Sequence, residues 1–140
     1  MTKLEEIEAR RAERKAALDD QRKAQLAEDL EALDALEVEH GDANVARVNV
    51  PYTPGLPTFV VVRAPKAAEF KRYKERIKSR RDGTPGDPVF AADELGECTR
   101  VYPDKETFSK MLEARPGLTT PMGVASSNMG TGRADESGKE

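Results

Sequence analysis

Residues Lys3 to Glu39 contain no glycine and no proline and are built mainly from Ala, Leu, Glu, Arg and Lys. These are the strongest helix formers, so the run predicts one long α-helix. Thr2 can cap its start, with Glu5 in the capping-box position. Glu5, Glu6 and Glu8 suit the positive end of the helix dipole. Gly41, just after His40, can take the left-handed conformation that ends a helix. Glu6–Arg10 and Asp19–Lys23 stand in the acid-first i,i+4 order that favours pairing.

The apolar stripe of this helix is uneven. Leu26, Leu30, Leu33 and Leu36 recur at helical spacing, so the second half is expected to dock on the rest of the chain. Between Glu8 and Gln25 the larger apolar residues reduce to Leu18, with Ala9, Ala12, Ala16 and Ala17 around it. A sustained coiled coil needs apolar a and d positions over several heptads. The first half therefore reads as a projecting arm.

Beyond it, Arg47–Val50 alternates polar and apolar, and Thr58–Arg63 is β-branched and aromatic. Pro51–Pro57, with Pro54-Gly55 at its centre, joins them as a turn-rich loop. The pattern is a β-hairpin, which is marginal by itself and must lie on helices. Lys66–Arg81 reads as a helix with Ala67, Phe70, Tyr73 and Ile77 along one face, and Asp82–Gly86 breaks it. Asp87 and Pro88 open another helix, with Val89, Ala92, Leu95 and Cys98 near one face and Phe90 and Val101 flanking. Tyr102-Pro103 ends it, and Asp104 caps the next, which carries Phe108, Met111 and Leu112. Arg115-Pro116-Gly117 stops that helix, and Thr120-Pro121 opens a last short one through Met122, Val124 and Met129. The expected fold is mainly α, with minor strand content: a long N-terminal helix, a short hairpin and three to four small helices. Three units follow: a helical arm at 1–41, a hairpin-plus-helices domain at 42–130, and a disordered tail at 131–140 rich in Gly, Ser and charge.

Function classes narrow with composition. Of 140 residues, 35% are charged, 5% are aromatic and none is Trp, so any core is small. A net charge of -3 argues against nucleic acid as the main partner. A single cysteine, Cys98, excludes an internal disulfide and fits a reducing compartment. No apolar run approaches a membrane span, and Met1-Thr2-Lys3 leads into acidic residues rather than a secretory apolar region. A cytoplasmic location is expected. His40 reads as a dipole partner at a helix end and Cys98 as a small hydrophobe without an activating base. With one His, one Cys and no phosphate-loop or hydrolase motif, the chain is expected to be no enzyme, with no cofactor and no metal.

The strongest local signal is basic. Between Lys66 and Arg81 lie Lys66, Lys71, Arg72, Lys74, Arg76, Lys78, Arg80 and Arg81, opposed only by Glu69 and Glu75. Such a face is a footprint for a phosphate backbone or an acidic protein surface. It is equally a solvated helix face, or one paired within the molecule to the acidic run Glu28, Asp29, Glu31, Asp34, Glu37 and Glu39.

The order of these elements carries a resemblance. A hairpin ends in Arg63-Ala64-Pro65, Ala67-Ala68-Glu69-Phe70 opens a helix, and a helix with Leu95 and Cys98 leads to Val101-Tyr102-Pro103-Asp104. Phe108, Met111-Leu112, Arg115-Pro116-Gly117-Leu118 and Gly123 follow. From Arg47 to Gly130 this resembles the tail assembly chaperones of long-tailed bacteriophages. The long N-terminal helix is extra to that pattern, and Val124–Met129 is more polar than the apolar final helix the pattern leads one to expect.

The resemblance implies a protein that coats the apolar segments of a tail tape measure protein in the host cytoplasm, with tail tube subunits as further contacts and self-association open. A different class, a structural component of a particle with the N-terminal helix as a strap, stands as the alternative, and a basic-patch nucleic-acid regulator as a second. Candidate partner-binding residues are Phe59, Val61, Phe70, Lys71, Arg72, Tyr73, Arg76, Phe108, Met111 and Leu112. The apolar ones are expected to line either the core or a groove between the hairpin and the small helices.

Overall fold

The computed structural model describes residues 2–132. Helix α1 spans Lys3–His40. The Thr2 side chain accepts the Glu5 backbone N–H at 3.2 Å, and Gly41, at φ 92°, closes the other end by donating its N–H to the Glu37 carbonyl at 2.8 Å. Asp19 pairs with Lys23 at 3.3 Å, as its spacing predicts, and also with Arg22 at 3.6 Å. A short 3-10 turn, Asp42–Asn44, leads into β1 (Val45–Asn49) and β2 (Phe59–Arg63). Helices α2 (Ala67–Ile77) and α3 (Pro88–Thr99) follow, then a third strand, β3 (Arg100–Tyr102). Helices α4 (Lys105–Ala114) and α5 (Thr119–Gly130) complete the fold. Thr131 and Gly132 form a turn, and the rest of the expected disordered tail, 133–140, lies outside the described residues.

The architecture is mainly helical, as expected, but the hairpin is part of a three-stranded antiparallel sheet ordered β1-β2-β3. In β1–β2, Val45 faces Arg63 and Asn49 faces Phe59; in β2–β3, Val61 faces Tyr102. Central β2 has helices over both faces. Phe59, Val60, Val61 and Val62 are all fully buried, which contributes on the order of 6–12 kcal/mol of transfer free energy before entropy is charged against it. Val60 and Val62 pack with Phe108, Met111, Leu118 and Met122 on one face. Phe59 and Val61 pack on the other face with Val45 and with Leu26, Leu33 and Leu36 of α1. The second half of α1 is therefore a wall of the core.

Two local expectations are corrected. Leu30 is 42% exposed, and the buried residue of that turn is its neighbour Asp29. On α3 the buried residues are Ala91, Ala92, Leu95, Gly96 and Thr99, whereas Val89, Phe90 and Cys98 are exposed. The face of α3 that turns inward is the small-residue face, because α5 lies against it. A Cβ on Gly123 would sit 1.8 Å from the Ala92 carbonyl oxygen, and one on Gly96 2.4 Å from that of Thr119. Glycine is what permits this backbone-to-backbone approach. The polar composition of α5 is accommodated the same way: Ser126 is buried and donates to the Arg63 carbonyl at 2.9 Å, and Met122 fills the core.

Candidate functional site

The first half of α1 is the most exposed element of the described chain. From Lys3 to Gln21 only Ile7 and Asp19 are even partly covered, and Leu4 is 65% exposed. At 1.5 Å per residue, this stretch is a rod of roughly 30 Å. Its inner end meets the β1–β2 loop, where Ala12, Ala16 and Leu18 share a shallow cleft with Tyr52, and Leu18 shares another with Pro54.

What fixes the arm's direction is a buried polar clamp. Asp29 is fully buried. Its carboxylate accepts the Thr58 backbone N–H at 2.7 Å, the Thr58 hydroxyl at 2.6 Å, the Gln25 amide at 2.9 Å and the Tyr102 hydroxyl. Burial and the adjacent carboxylate push the Tyr102 phenol above its ordinary range, so it remains a donor. One side chain of α1 thus ties the helix to the start of β2 and to β3. Asp29 belongs by sequence to the acidic run from Glu28 to Glu39, and in the fold it is the buried member of that run. A heptad stepped as Arg22, Leu26, Asp29, Leu33, Leu36 and His40 marks the inward stripe, and all six are buried or partly buried.

A second clamp explains the Arg63-to-Phe70 step. Arg63 forms a fork of two bonds to Glu69, at 2.8 and 2.9 Å, and also donates to the Cys98 carbonyl at the end of α3 at 3.2 Å. Glu69 in turn accepts the Lys66 backbone N–H at 2.8 Å. With the Arg63 guanidinium beside it, the Glu69 carboxyl is held down at about 2. Partial burial and the nearby Glu69 raise the Cys98 thiol, so it is largely protonated at neutral pH, and a thiol in that state is a poor nucleophile.

The basic helix α2 lies against α3 and away from the acidic stretch of α1, and among the described residues no ion pair joins the two. The intramolecular pairing considered from sequence is thereby corrected. Arg76 instead pairs with Glu94 of α3 at 2.9 Å and lies over the Phe90 ring, 5.1 Å from its centre. Lys71 and Arg72 are exposed and carry no ion pair among the described residues. Phe70 and Tyr73 stack on each other at 5.9 Å, half-buried, with Phe70 against Pro65 and Gly130.

The other candidate residues are core. Phe59, Val61, Phe108 and Met111 are buried, the first two on one face of the sheet and the last two on the other, and Leu112 is partly buried beside Met111's cluster. A groove between the hairpin and the small helices is therefore filled by the protein's own side chains. Among the described residues no group of three or more His, Cys, Asp or Glu gathers as a metal site, and no helix is long and apolar enough to cross a membrane. Comparison with known proteins returns no matching family model, curated protein or solved structure.

Proposed function

We propose that this protein acts by holding another protein, as a tail assembly chaperone that keeps a long helical tape measure protein in solution, and that it carries out no chemistry of its own. The single observation behind this reading is the arm: a helix built from strong helix formers, anchored at its base by Asp29, whose first half touches almost nothing in its own chain. An isolated helical segment in water is marginal. Supported at its base, this one offers Leu4, Ile7 and the Leu18–Tyr52–Pro54 clefts to an outside helix. The Arg47-to-Gly130 motif order supports the same reading, with each short motif doing a definite job: the Arg63–Glu69 fork, the Asp87 cap on the Phe90 N–H at 3.0 Å, and the turn before α5.

Co-expression with a long helical tape measure protein, followed by native mass measurement, tests the proposal. Soluble complexes carrying more than one copy of this chain per client are expected, and the chain is expected to be absent from finished particles. A client equally soluble alone, with no co-purifying chain, refutes it. Recovery of the chain in finished particles would replace the chaperone with a structural strap.

A further inference from the structure

The α2–α3 corner carries a feature that the arm does not account for. Where α2 ends, the chain turns through residues 78–87 and re-enters as α3. Gly86 passes so close to the end of α2 that a Cβ there would lie 1.9 Å from the Ile77 carbonyl oxygen, and the Asp87 N–H donates to the Arg76 carbonyl at 2.8 Å. This closure frames an open cleft lined by Arg72, Arg76, Lys78, Arg80 and Phe90 and by two carboxylates, Glu75 and Asp87, so that cations outnumber acids four to two. Phe90, the aromatic residue of its lining, is 49% exposed. Lys71, Arg72, Lys74, Lys78, Arg80 and Arg81 have no ion pair among the described residues. An exposed aromatic side chain beside unpaired cations suits a protein-binding surface, where aromatic and arginine side chains make the strongest contacts and charge complementarity selects the partner.

We infer that this corner docks an acidic protein segment, seating an apolar side chain on Phe90 with its carboxylates on Arg72, Lys78 and Arg80. The inference rests on the protein-holding reading and names the chemistry of one contact. Phosphate-backbone binding fits the geometry less well. Stacking of bases needs an open aromatic face, and the Phe90 face is occupied by the Arg76 guanidinium, which Glu94 holds in place at 2.9 and 3.2 Å. What Phe90 leaves open suits an aliphatic contact.

The test is fluorescence anisotropy with the full chain and four labelled probes: a 20-residue acidic amphipathic peptide of Glu and Leu, its Glu→Gln counterpart, polyglutamate, and a 20-base single-stranded DNA. The Glu/Leu peptide is expected to bind at low salt and weaken steeply with added salt, with the Gln peptide and polyglutamate each at least roughly tenfold weaker, since each lacks one of the two contact types. Phe90→Ser and the pair Lys78→Glu with Arg80→Glu are each expected to lower affinity by about tenfold or more. All three positions are exposed, so folding is unaffected, which an unchanged thermal melt verifies. No binding of the Glu/Leu peptide at low salt, tighter binding of DNA, or binding indifferent to these substitutions overturns the inference. Peptide binding at this corner by a chain that fails to hold a helical client would instead sink the chaperone reading alone.

Discussion

Asp29 and Leu30 are neighbours in sequence, and the structure reverses the order of importance that hydrophobicity assigns them. Replacing Asp29 with Ala removes the acceptor for the Thr58 N–H, the Thr58 hydroxyl and the Tyr102 hydroxyl. A buried donor left without a partner costs about 1–3 kcal/mol. The Tyr102 hydroxyl is only part-buried and can recover a bond to water, so the two Thr58 donors set the sum at roughly 2–6 kcal/mol. That is a large share of the ~5–15 kcal/mol typical of a domain, and a fall in Tm on the order of 10–20 °C. Leu30→Asp, at a site 42% exposed, is expected to change stability by under about 0.5–1 kcal/mol. Urea unfolding of both variants, followed by circular dichroism, gives the two numbers directly. Asp29→Ala within about 1 kcal/mol of wild type, or Leu30→Asp matching it in cost, would refute the clamp. Tyr102→Phe, which deletes one donor and leaves the carboxylate its other partners, should fall between them at about 1 kcal/mol.

Further outcomes follow from other contacts. Gly123→Ala should destabilise by roughly 2–4 kcal/mol despite alanine's better helix propensity, because its Cβ meets the Ala92 carbonyl; a gain in Tm would disprove the close α3–α5 crossing. Glu69 is held down at about 2 by Arg63, below its value in the unfolded chain. Its contribution is therefore full above about pH 5 and lost as pH falls towards 2. Discounted for partial exposure, wild type should lose about 1–2 kcal/mol more over that window than Glu69→Gln, and identical acid profiles would contradict the ion pair. Deleting residues 1–20 should leave the melt within a few degrees, since only Ile7 and Asp19 among the described residues removed are partly covered; loss of a cooperative transition would show the arm to be part of the core.

The helices were legible because their signals are local. A run without Gly or Pro, the Thr2 and Asp87 caps, and the Gly41 stop each act within one turn, and each appears where its residues stand. The parts that were not legible depend on distant chain. Arg100-Val101-Tyr102 is too short to display strand alternation, and it becomes a strand because β2 offers it an edge. Ser126 and Ser127 read as polar surface, yet both are buried, with Ser126 bonded to the Arg63 carbonyl of β2 and Ser127 to the Val124 carbonyl of its own helix. Asp29 reads as one acid among several until Thr58, twenty-nine residues away, supplies two donors. The heptad step from Leu26 through Asp29 to Leu33 was the available hint. The candidate site divided similarly: the exposure of Lys71 and Arg72 follows from charge, whereas the burial of Phe59, Val61, Phe108 and Met111 follows from which helix lies over which face of the sheet.

On the proposed function, the exposed half of α1 is a working surface for a helical client. Amide hydrogen exchange on the full chain, with and without the co-expressed client, is the decisive experiment. In the free protein the amides of residues 6–20 should exchange far faster than those of β2, because no tertiary packing covers that part of the helix. With the client bound, the arm amides should slow by about tenfold or more while those of Phe59–Val62 stay as they were. An arm whose exchange is the same in the complex as in the free chain would contradict the claim.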